Sequence, residues 1–329
     1  MRLLVTGGAG FIGSHYVRSA LTGVHGAEGI DSLVVLDKLT YAGNPRNLDP
    51  VAGDPRLRLV EADITDAAAV DALMADADVV VHFAAESHVD RSIDGAAGFV
   101  HTNVVGTQVL LDAAVRHDVD KFVHVSTDEV YGTIPEGSWP EDHPLEPNSP
   151  YSASKASSDL LVRSFHRTHG LPATITRCSN NYGPYQFPEK VMPLFITNLM
   201  RGGTVPLYGD GLNVRDWLHV DDHCRGIQLV VDGGRPGEVY NIGGGTELTN
   251  RELTERILAA FGVGWERVRE VEDRKGHDRR YSVDISKISR ELGYAPQHSF
   301  DEGLAETVQW YRDHEDWWAP LLDRVATAR

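Results

Sequence analysis

The chain begins with Arg2-Leu3-Leu4-Val5-Thr6, breaks at once into Gly7-Gly8-Ala9-Gly10-Phe11-Ile12-Gly13, and continues in a helical pattern from Ser14 to about Leu21. No other stretch restricts the possible folds as tightly. An apolar run that ends in glycines and is followed by helical periodicity reads as a buried parallel strand, a tight turn and a helix. The glycines allow the bend, let a pyrophosphate approach the backbone N–H groups, and let the helix pack closely on the strand. Two spacings can be read, Gly8-Gly10-Gly13 and Gly7-Gly10-Gly13, and in this strand–turn–helix setting both point to dinucleotide binding.

The alternation repeats along the first half. Ser32 to Leu36 is a second strand with Asp37 at its end, about twenty residues past the last glycine, where an acid can accept hydrogen bonds from an adenosine ribose. An acid there repels a 2′-phosphate and so favours NAD over NADP, although Lys38 directly after it pulls the other way. Leu57 to Asp63 is a third strand; Asp63 and Ile64 lie either near an adenine or at the cap of the next helix. Asp78 to Ala85 is a fourth, ending in Phe83-Ala84-Ala85, small enough for a cofactor to pass. A helix follows from Asn103 to about His117, with Val104, Gln108, Leu111 and Val115 on one face. Then come a strand through Phe122-Val123-His124-Val125, a helix from Tyr151 to Thr168, and a sixth strand over Ala173–Cys178. Strands alternating with helices in this way give an α/β chain with a Rossmann-type doubly wound parallel sheet.

After Pro184 the pattern changes. Pro188, Pro193, Pro206 and Gly202-Gly203 punctuate shorter elements. The expected division is a dinucleotide-binding domain over 1–185 and a smaller C-terminal α/β lobe over 186–329, with a segment near 215–241 returning to the first domain. Val214 to Asp222 reads as a strand running into a helix through Val231. Leu248 to Phe261 reads as a helix capped by Thr249, and Arg274 to Tyr281 as a donor-rich loop.

Composition excludes several classes. A formal net charge of −17 argues against nucleic acid or an anionic membrane as partner, so any bound phosphate must be held by local donors. Two cysteines, Cys178 and Cys224, without metal-type spacing read as reduced thiols. The 15 histidines form no familiar ligand spacing, and no metal is expected. No leader pattern and no apolar run long enough for a bilayer are present, which leads to the expectation of a cytoplasmic protein.

The reactive groups are expected in the middle of the chain. Ser126-Thr127-Asp128-Glu129-Val130-Tyr131-Gly132 follows the fifth strand, where open α/β sheets bind ligands. Tyr151 and Lys155 are four residues apart and share a helix face. An ammonium beside a phenol lowers its pKa from about 10 toward neutrality, making tyrosine a base for an alcohol proton. Taken alone this spacing is a common surface pair, and Asp128-Glu129 taken alone is a solvated turn. Two adjacent carboxyl groups with split pKa values would instead supply the acid and the base of an elimination.

Taken together, Thr6–Gly13, Asp37–Asn44, Phe83–Ser92, Ser126–Gly132, Tyr151–Lys155 and Asn180–Tyr185 resemble the extended short-chain dehydrogenase/reductase superfamily, and within it the dTDP-glucose 4,6-dehydratases. The resemblance covers nearly the whole chain, and the acid pair after Thr127 is its specific item. The long, glycine-bearing loop between Leu21 and Ser32 departs mildly from the pattern.

The resemblance implies a tightly held NAD contacted by Gly7, Gly10, Phe11, Ile12 and Gly13, by Asp37, Lys38, Leu39 and Thr40, and by Asp63 and Ile64. Further along it implies Phe83, Ala84, Ala85, Ser87, Thr102, Ser126, Tyr151, Lys155, Cys178 and Asn181. It implies dTDP-glucose as substrate, met by Ser87, Thr127, Asp128, Glu129, Asn180, Lys190 and Val191. Arg215 and Arg274 would lie on phosphate, Pro206 and Tyr208 near the base, and Asn250, His277 and Tyr281 close by. Which of Asn180 and Asn181 meets sugar stays open.

The implied roles are Tyr151 as base at the C4 hydroxyl and Thr127 as donor to its oxygen, with Lys155 tuning the tyrosine. Glu129 removes the C5 proton, and protonated Asp128 donates to the leaving C6 hydroxyl. The family also implies a homodimer through a four-helix contact. A nucleotide-sugar 4-epimerase or decarboxylase, and a non-catalytic NAD-binding scaffold, are the alternatives.

Overall fold

Seven strands pair side by side, all parallel, in the order β10-β6-β5-β4-β1-β2-β3. The computed structural model describes residues 1–27 and 29–327. Six of these strands come in succession before residue 180: β1 (Arg2–Thr6), β2 (Ser32–Asp37), β3 (Leu57–Glu61), β4 (Val79–His82), β5 (Lys121–Thr127) and β6 (Ala173–Cys178). The register decides what they present together. Thr6 lies level with Leu36 on one side and His82 on the other, and Thr127 lies level with Cys178. Gly7, Asp37, Phe83, Asp128 and Ser179 therefore leave the sheet along one edge. The order reverses about β1, so a crevice opens there between the diverging connections.

Alternation across the pleat builds the two faces. Leu3, Val5, Leu33, Val35, Val79 and Val81 meet the helices Phe11–Thr22 and Val220–Gly233 through Tyr16, Val17, Ala20, Ile227 and Val230. Leu4, Leu36, Val80 and Phe122 meet Ala67–Met74, Thr107–Arg116 and Pro150–His169 through Val70, Leu73, Leu110, Leu111 and Val162. Each such aliphatic side chain contributes about 1.5–3 kcal/mol on leaving water.

The helix expected from Asn103 begins earlier. Gly95 breaks the preceding Val89–Asp94 helix, and helical backbone then runs from Ala96 to Arg116, widened to a π-helical turn over Val100–Gly106. No side chain caps its start, so the sequence carries no start signal there. Gly106 is needed at the widened turn, since a Cβ would lie 2.5 Å from Ile64 Cδ1.

The second lobe holds β7 (Asn180–Tyr182), β8 (Val205–Tyr208), β9 (Val214–His219), β11 (Glu247–Thr249) and β12 (Val268–Val271) in a three-stranded sheet, β11-β9-β7, and a parallel pair, β12-β8. Its own core joins Tyr182, Phe195, Trp217, Leu253, Tyr311 and Trp318. Between β9 and β11 the chain goes back to the large sheet, adding the helix Val220–Gly233 and edge strand β10 (Val239–Ile242). Thr249 caps the helix Asn250–Phe261, and Glu252 reaches back to close a capping box. Among the described residues, no helix is long and apolar enough to cross a membrane.

One polar group is deep in this apolar interior. Asp159, fully buried, meets Arg177 Nε at 2.8 Å and His124 Nε2 at 3.4 Å, and Arg177 also donates to the Tyr131 hydroxyl at 2.8 Å. Arg177→Leu strands the Asp159 carboxylate without its main partner and should lower the unfolding free energy by about 3–5 kcal/mol in urea denaturation. Adding Asp159→Leu should restore most of it; an unchanged urea midpoint in the single variant would contradict this account.

Candidate active site

A cleft of about 320 Å³ runs along the sheet edge where β1, β2, β4, β5 and β6 end. At its floor the structure selects between the two glycine spacings. Gly7, Gly10 and Gly13 line the cleft, whereas Gly8 faces Val35, 2.8 Å from where its Cβ would lie. Gly7 has φ 71° and a Cβ there would stand 2.6 Å from the Ala84 amide nitrogen; a Cβ on Gly13 would stand 2.3 Å from Gly7 O. Neither position admits a side chain. The helix Phe11–Thr22 starts here with no side chain capping its first amides, which leaves donors suited to a pyrophosphate.

Asp37 is buried at the end of β2 and accepts amide hydrogens from Ala9 at 2.9 Å and Leu39 at 2.8 Å. Burial raises its pKa while these two bonds lower it. Lys38 Nζ lies 2.5 Å from Asp63 Oδ2, so the cation that argued against NAD selectivity is paired with a carboxylate. Asp63 binds its own turn through the Thr65 amide, and Asp66 is the cap of the next helix. Ile64, Phe83, Ala84, Ala85, Ser87 and Thr102 line the cleft, as do Thr40, Ser126, Cys178 and Asn181. Leu39 is the exception among the expected cofactor contacts: it does not line the cleft. Its backbone takes a left-handed φ of 54°, and its amide is committed to Asp37. The pocket's shape, its glycine floor and its acid at the ribose end fit a dinucleotide.

The reactive residues come together at the other end. Thr127, Asp128 and Glu129 leave β5 in a short 3₁₀ turn, and Tyr151 and Lys155 enter from the helix Pro150–His169, capped by Ser149 with Pro150 in its first turn. Asp128 is 1 % exposed; its Oδ1 accepts from the Thr127 hydroxyl at 3.3 Å and its Oδ2 has no hydrogen-bond partner among the described residues. Burial, then the adjacent Glu129 carboxylate, then Asp216 raise its pKa well above the usual carboxylate value, which favours the protonated form. Glu129 is less buried and accepts from the Ser152 hydroxyl at 3.2 Å. Two neighbouring carboxyl groups thus have different surroundings.

The tyrosine–lysine pair differs from the expectation. Lys155 Nζ donates to the Val125 carbonyl at 2.8 Å, and burial lowers its pKa to about 8. Burial, then the Glu129 charge, raise the Tyr151 pKa well above the usual phenol value; the Thr127 hydroxyl beside it pulls the other way. A shared helix face brings the two side chains to one wall, where burial is the largest influence on both and favours their uncharged forms.

The remaining expected substrate contacts separate into two groups. Asn180 and Lys190 line the cleft, with Lys190 Nζ on the Ser87 carbonyl at 2.8 Å. Val191, Pro206, Tyr208, Arg215, Asn250, Arg274, His277 and Tyr281 do not line it. Several of them form a second, cationic cluster. Arg215 lies over the Tyr281 ring at 4.1 Å, and its guanidinium feels both Arg274 and the Glu129 charge. Arg274 approaches Asp90 at 3.7 Å, and its buried Nε has no hydrogen-bond partner among the described residues. Tyr208 donates to Asp90 at 3.3 Å and meets His277 edge-on. Asn250 opens its helix through backbone bonds, its amide on the Asn213 carbonyl.

Other wall residues escaped the sequence reading. Arg91 pairs with Glu189 at 2.6 Å and covers the Tyr41 ring at 3.6 Å, tying three distant segments beside Lys190. Asn103 clamps the Glu86 backbone from both sides and donates to Ser154. Arg91 and Tyr41 lie inside stretches that carried the resemblance, but nothing local pairs them with Glu189, which is 98 residues from Arg91.

Fold and site define a short-chain dehydrogenase/reductase of the extended, nucleotide-sugar-modifying type. Comparison with known proteins narrows the class. The family described as GDP-mannose 4,6 dehydratase matches residues 4–307. A dTDP-glucose 4,6-dehydratase of Streptomyces antibioticus is 66 % identical, with 99 % of this chain and 97 % of that protein covered; one of Streptomyces niveus is 61 % identical, with 98 % and 96 % covered. The crystal structure of a dTDP-glucose 4,6-dehydratase from Streptomyces venezuelae, solved with NAD bound, superposes with a TM-score of 0.97 at 64 % identity, covering 98 % of this chain and 100 % of that one. The chain belongs to the dTDP-glucose 4,6-dehydratase family.

Asp128 also yields a stability prediction. A carboxyl whose folded pKa is raised binds its proton more tightly than in the unfolded chain. It therefore opposes folding progressively as pH rises above about 3.8. Asp128→Asn removes that penalty, so the variant should have a higher urea midpoint than the wild type at pH 7 and lose the advantage near pH 3.5. Equal midpoints at pH 7 would show that the carboxyl is not held protonated.

Proposed function

We infer that the protein catalyses the NAD-dependent, redox-neutral conversion of dTDP-D-glucose to dTDP-4-keto-6-deoxy-D-glucose and water, and is thus a hydro-lyase. The observation that carries this reading is the buried Asp128, its pKa raised by burial and by its neighbour, next to a more open Glu129, both at the wall shared with Thr127 and Tyr151. An elimination needs an acid and a base together; oxidation of an alcohol needs neither of these carboxyl groups.

NAD, when bound, supplies a hydride acceptor for C4, a hydride donor for C6 and a positively charged ring. Tyr151 accepts the C4 hydroxyl proton, and the Thr127 hydroxyl donates to the C4 oxygen. The phenol needs positive charge nearby to act as base, because burial and Glu129 hold it neutral. Lys155 is the chain's own source of that charge. Once C4 is a ketone, the C5 proton is acidic, and Glu129 removes it. Asp128 gives its proton to the C6 hydroxyl as the C–O bond breaks, and Glu129 returns a proton to C5 at the end. Arg215 and Arg274 hold the pyrophosphate by paired donors. Tyr208 and Pro206 receive the pyrimidine, and Ser87, Asn180, Lys190 and Val191 receive the sugar. Asn250, His277 and Tyr281 complete the nucleotide side. A 4-epimerase would use the threonine, tyrosine and lysine alone and would leave a buried protonated carboxyl at its centre without work. A scaffold would need none of these groups. Two buried free cysteines and a nucleotide-sugar substrate suit the cytoplasm.

The two halves of the reaction can be separated. In single turnover with dTDP-glucose, Glu129→Gln and Asp128→Asn should reduce the bound nicotinamide, seen by its absorbance, yet release product about 10²–10⁴-fold more slowly. Tyr151→Phe should show neither signal. Wild-type turnover in both acid-pair variants would shift the assignment to an epimerase. Running the wild type on dTDP-, UDP-, CDP- and GDP-glucose tests the base; equal rates would remove thymidine selectivity.

The assembly is inferred to be a homodimer through a four-helix contact. Val100 and Val105, on the helical stretch from Ala96 to Arg116, and Leu160, on the Tyr151 helix, are 50 %, 39 % and 53 % exposed. Such apolar side chains on adjacent helices gain from being covered. The wild type should sediment as a dimer at micromolar concentration and Leu160→Glu largely as a 36.2 kDa monomer; a monomeric wild type would overturn the inference.

A further inference from the structure

On the sheet face behind the cleft floor, three ligand-bearing side chains converge from remote parts of the chain. His15 projects from the first helix. His25 comes from the loop after it, where the sequence departs from its family's pattern, and Asp221 opens the helix Val220–Gly233. His15 Nε2 lies 2.8 Å and His25 Nε2 3.1 Å from the same oxygen, Asp221 Oδ1, and all three ligand atoms fall within 4.8 Å of one another. We propose that His15, His25 and Asp221 form a binding site for one divalent transition-metal ion of the zinc type.

Three observations favour an ion over a hydrogen-bonded cluster. First, His25 Nε2 is buried and faces the Asp221 carboxylate at 3.1 Å, but off good hydrogen-bond geometry and on the same oxygen that already lies 2.8 Å from His15 Nε2. A buried imidazole nitrogen facing a carboxylate without a well-aligned bond is poorly satisfied, and a shared cation would satisfy both. Second, the spacing fits. Donors at about 2.0–2.2 Å from one zinc ion are about 3–3.5 Å apart, close to the two separations observed. Third, the donor set suits such an ion: two neutral imidazoles and a carboxylate leave positions for water, and imidazole favours zinc, copper or nickel over magnesium or calcium. The side chains are 17 %, 4 % and 25 % exposed, so an ion can enter from solvent.

Two features limit the affinity. His15 Nδ1 has no acceptor among the described residues, whereas metal-bound imidazoles ordinarily donate their second N–H. Arg18 acts on His15 as a neighbouring cation, although it is bound to the Asn47 carbonyl and lies over Tyr185. The ion would pin the loop after the first helix to the start of the Val220–Gly233 helix, and so stiffen the helix whose N-terminal turn underlies the cleft. Spacing along the sequence gave no hint of this, because ten residues separate the histidines and Asp221 comes from the other half of the chain.

The test uses the full-length protein freed of metal by chelator and dialysis. Titration with Zn²⁺ followed by calorimetry should give one strong ion per chain, and Co²⁺ should give the intense visible absorption of a low-coordinate nitrogen–oxygen site. His25→Gln, which keeps the loop side chain's size, and separately Asp221→Asn, should each weaken Zn²⁺ binding by at least about 10-fold. Loss of a direct ligand costs no less than loss of an outer-shell partner. Retained NAD content and circular dichroism would show that these variants are folded. Equal Zn²⁺ affinity in the wild type and both folded variants, or no uptake at tens of micromolar, overturns the proposal.

Discussion

Asp159 is the charge that holds the reactive end of the molecule in register. It lies one helical turn beyond Lys155 on the same helix, pairs with Arg177 from β6, and faces His124 from β5. Burial pushes its pKa up, but Arg177 and His124 outweigh burial and bring it down to about 2, so it is ionised near neutrality. That fixed negative charge is also the main influence opposing the burial that lowers Lys155. The same ion pair anchors Tyr131, whose hydroxyl links Arg177 to Asn241 in β10. The wall that carries Thr127, Asp128 and Tyr151 is thus braced from behind by one buried polar network. Buried charge is tolerated there because Asp159 and Arg177 neutralise and hydrogen-bond each other; removing either leaves the other charged in a low-dielectric interior.

In front of that network the logic is reversed. Asp128, Tyr151 and Lys155 are buried with too few partners, and their pKa values move toward the uncharged forms. Groups held neutral by desolvation are poised to exchange protons when a ligand changes the local charge. The acid pair shows how this is done with two adjacent residues. The 3₁₀ turn after β5 directs one carboxyl inward, 1 % exposed, and leaves its neighbour on the more open side against Ser152.

Much of this was legible in the sequence, for a definite reason: the legible features were local. Strand–glycine–helix succession, an acid after β2, the Ser149-Pro150 helix start and the four-residue Tyr151–Lys155 spacing are all contained in short windows, and the parallel sheet follows from their alternation. Choosing between the two glycine spacings required the tertiary neighbour, Val35 under Gly8. The early start of the helix before Asn103 lacked a capping side chain to announce it. The Arg91–Glu189–Tyr41 brace and the separate Arg215–Arg274 cluster are products of long-range packing. Lysine as the tuner of tyrosine was read from spacing, but burial, which spacing does not encode, sets the balance.

The position of β10 has a consequence for synthesis. Strand β6 has every residue buried, and its outer neighbour is supplied by Val239–Ile242, after most of the second lobe's first half has been made. A growing chain that has released all of the first 185 residues still has an unpaired strand edge on a strand whose residues are all buried in the finished fold, the kind of surface that recruits other strands. The large sheet can close only after the small sheet's β7 and β9 have emerged and the chain has turned back. On the ribosome, then, the two lobes must mature as one object, and a fragment ending at the apparent domain boundary would be born with an open edge.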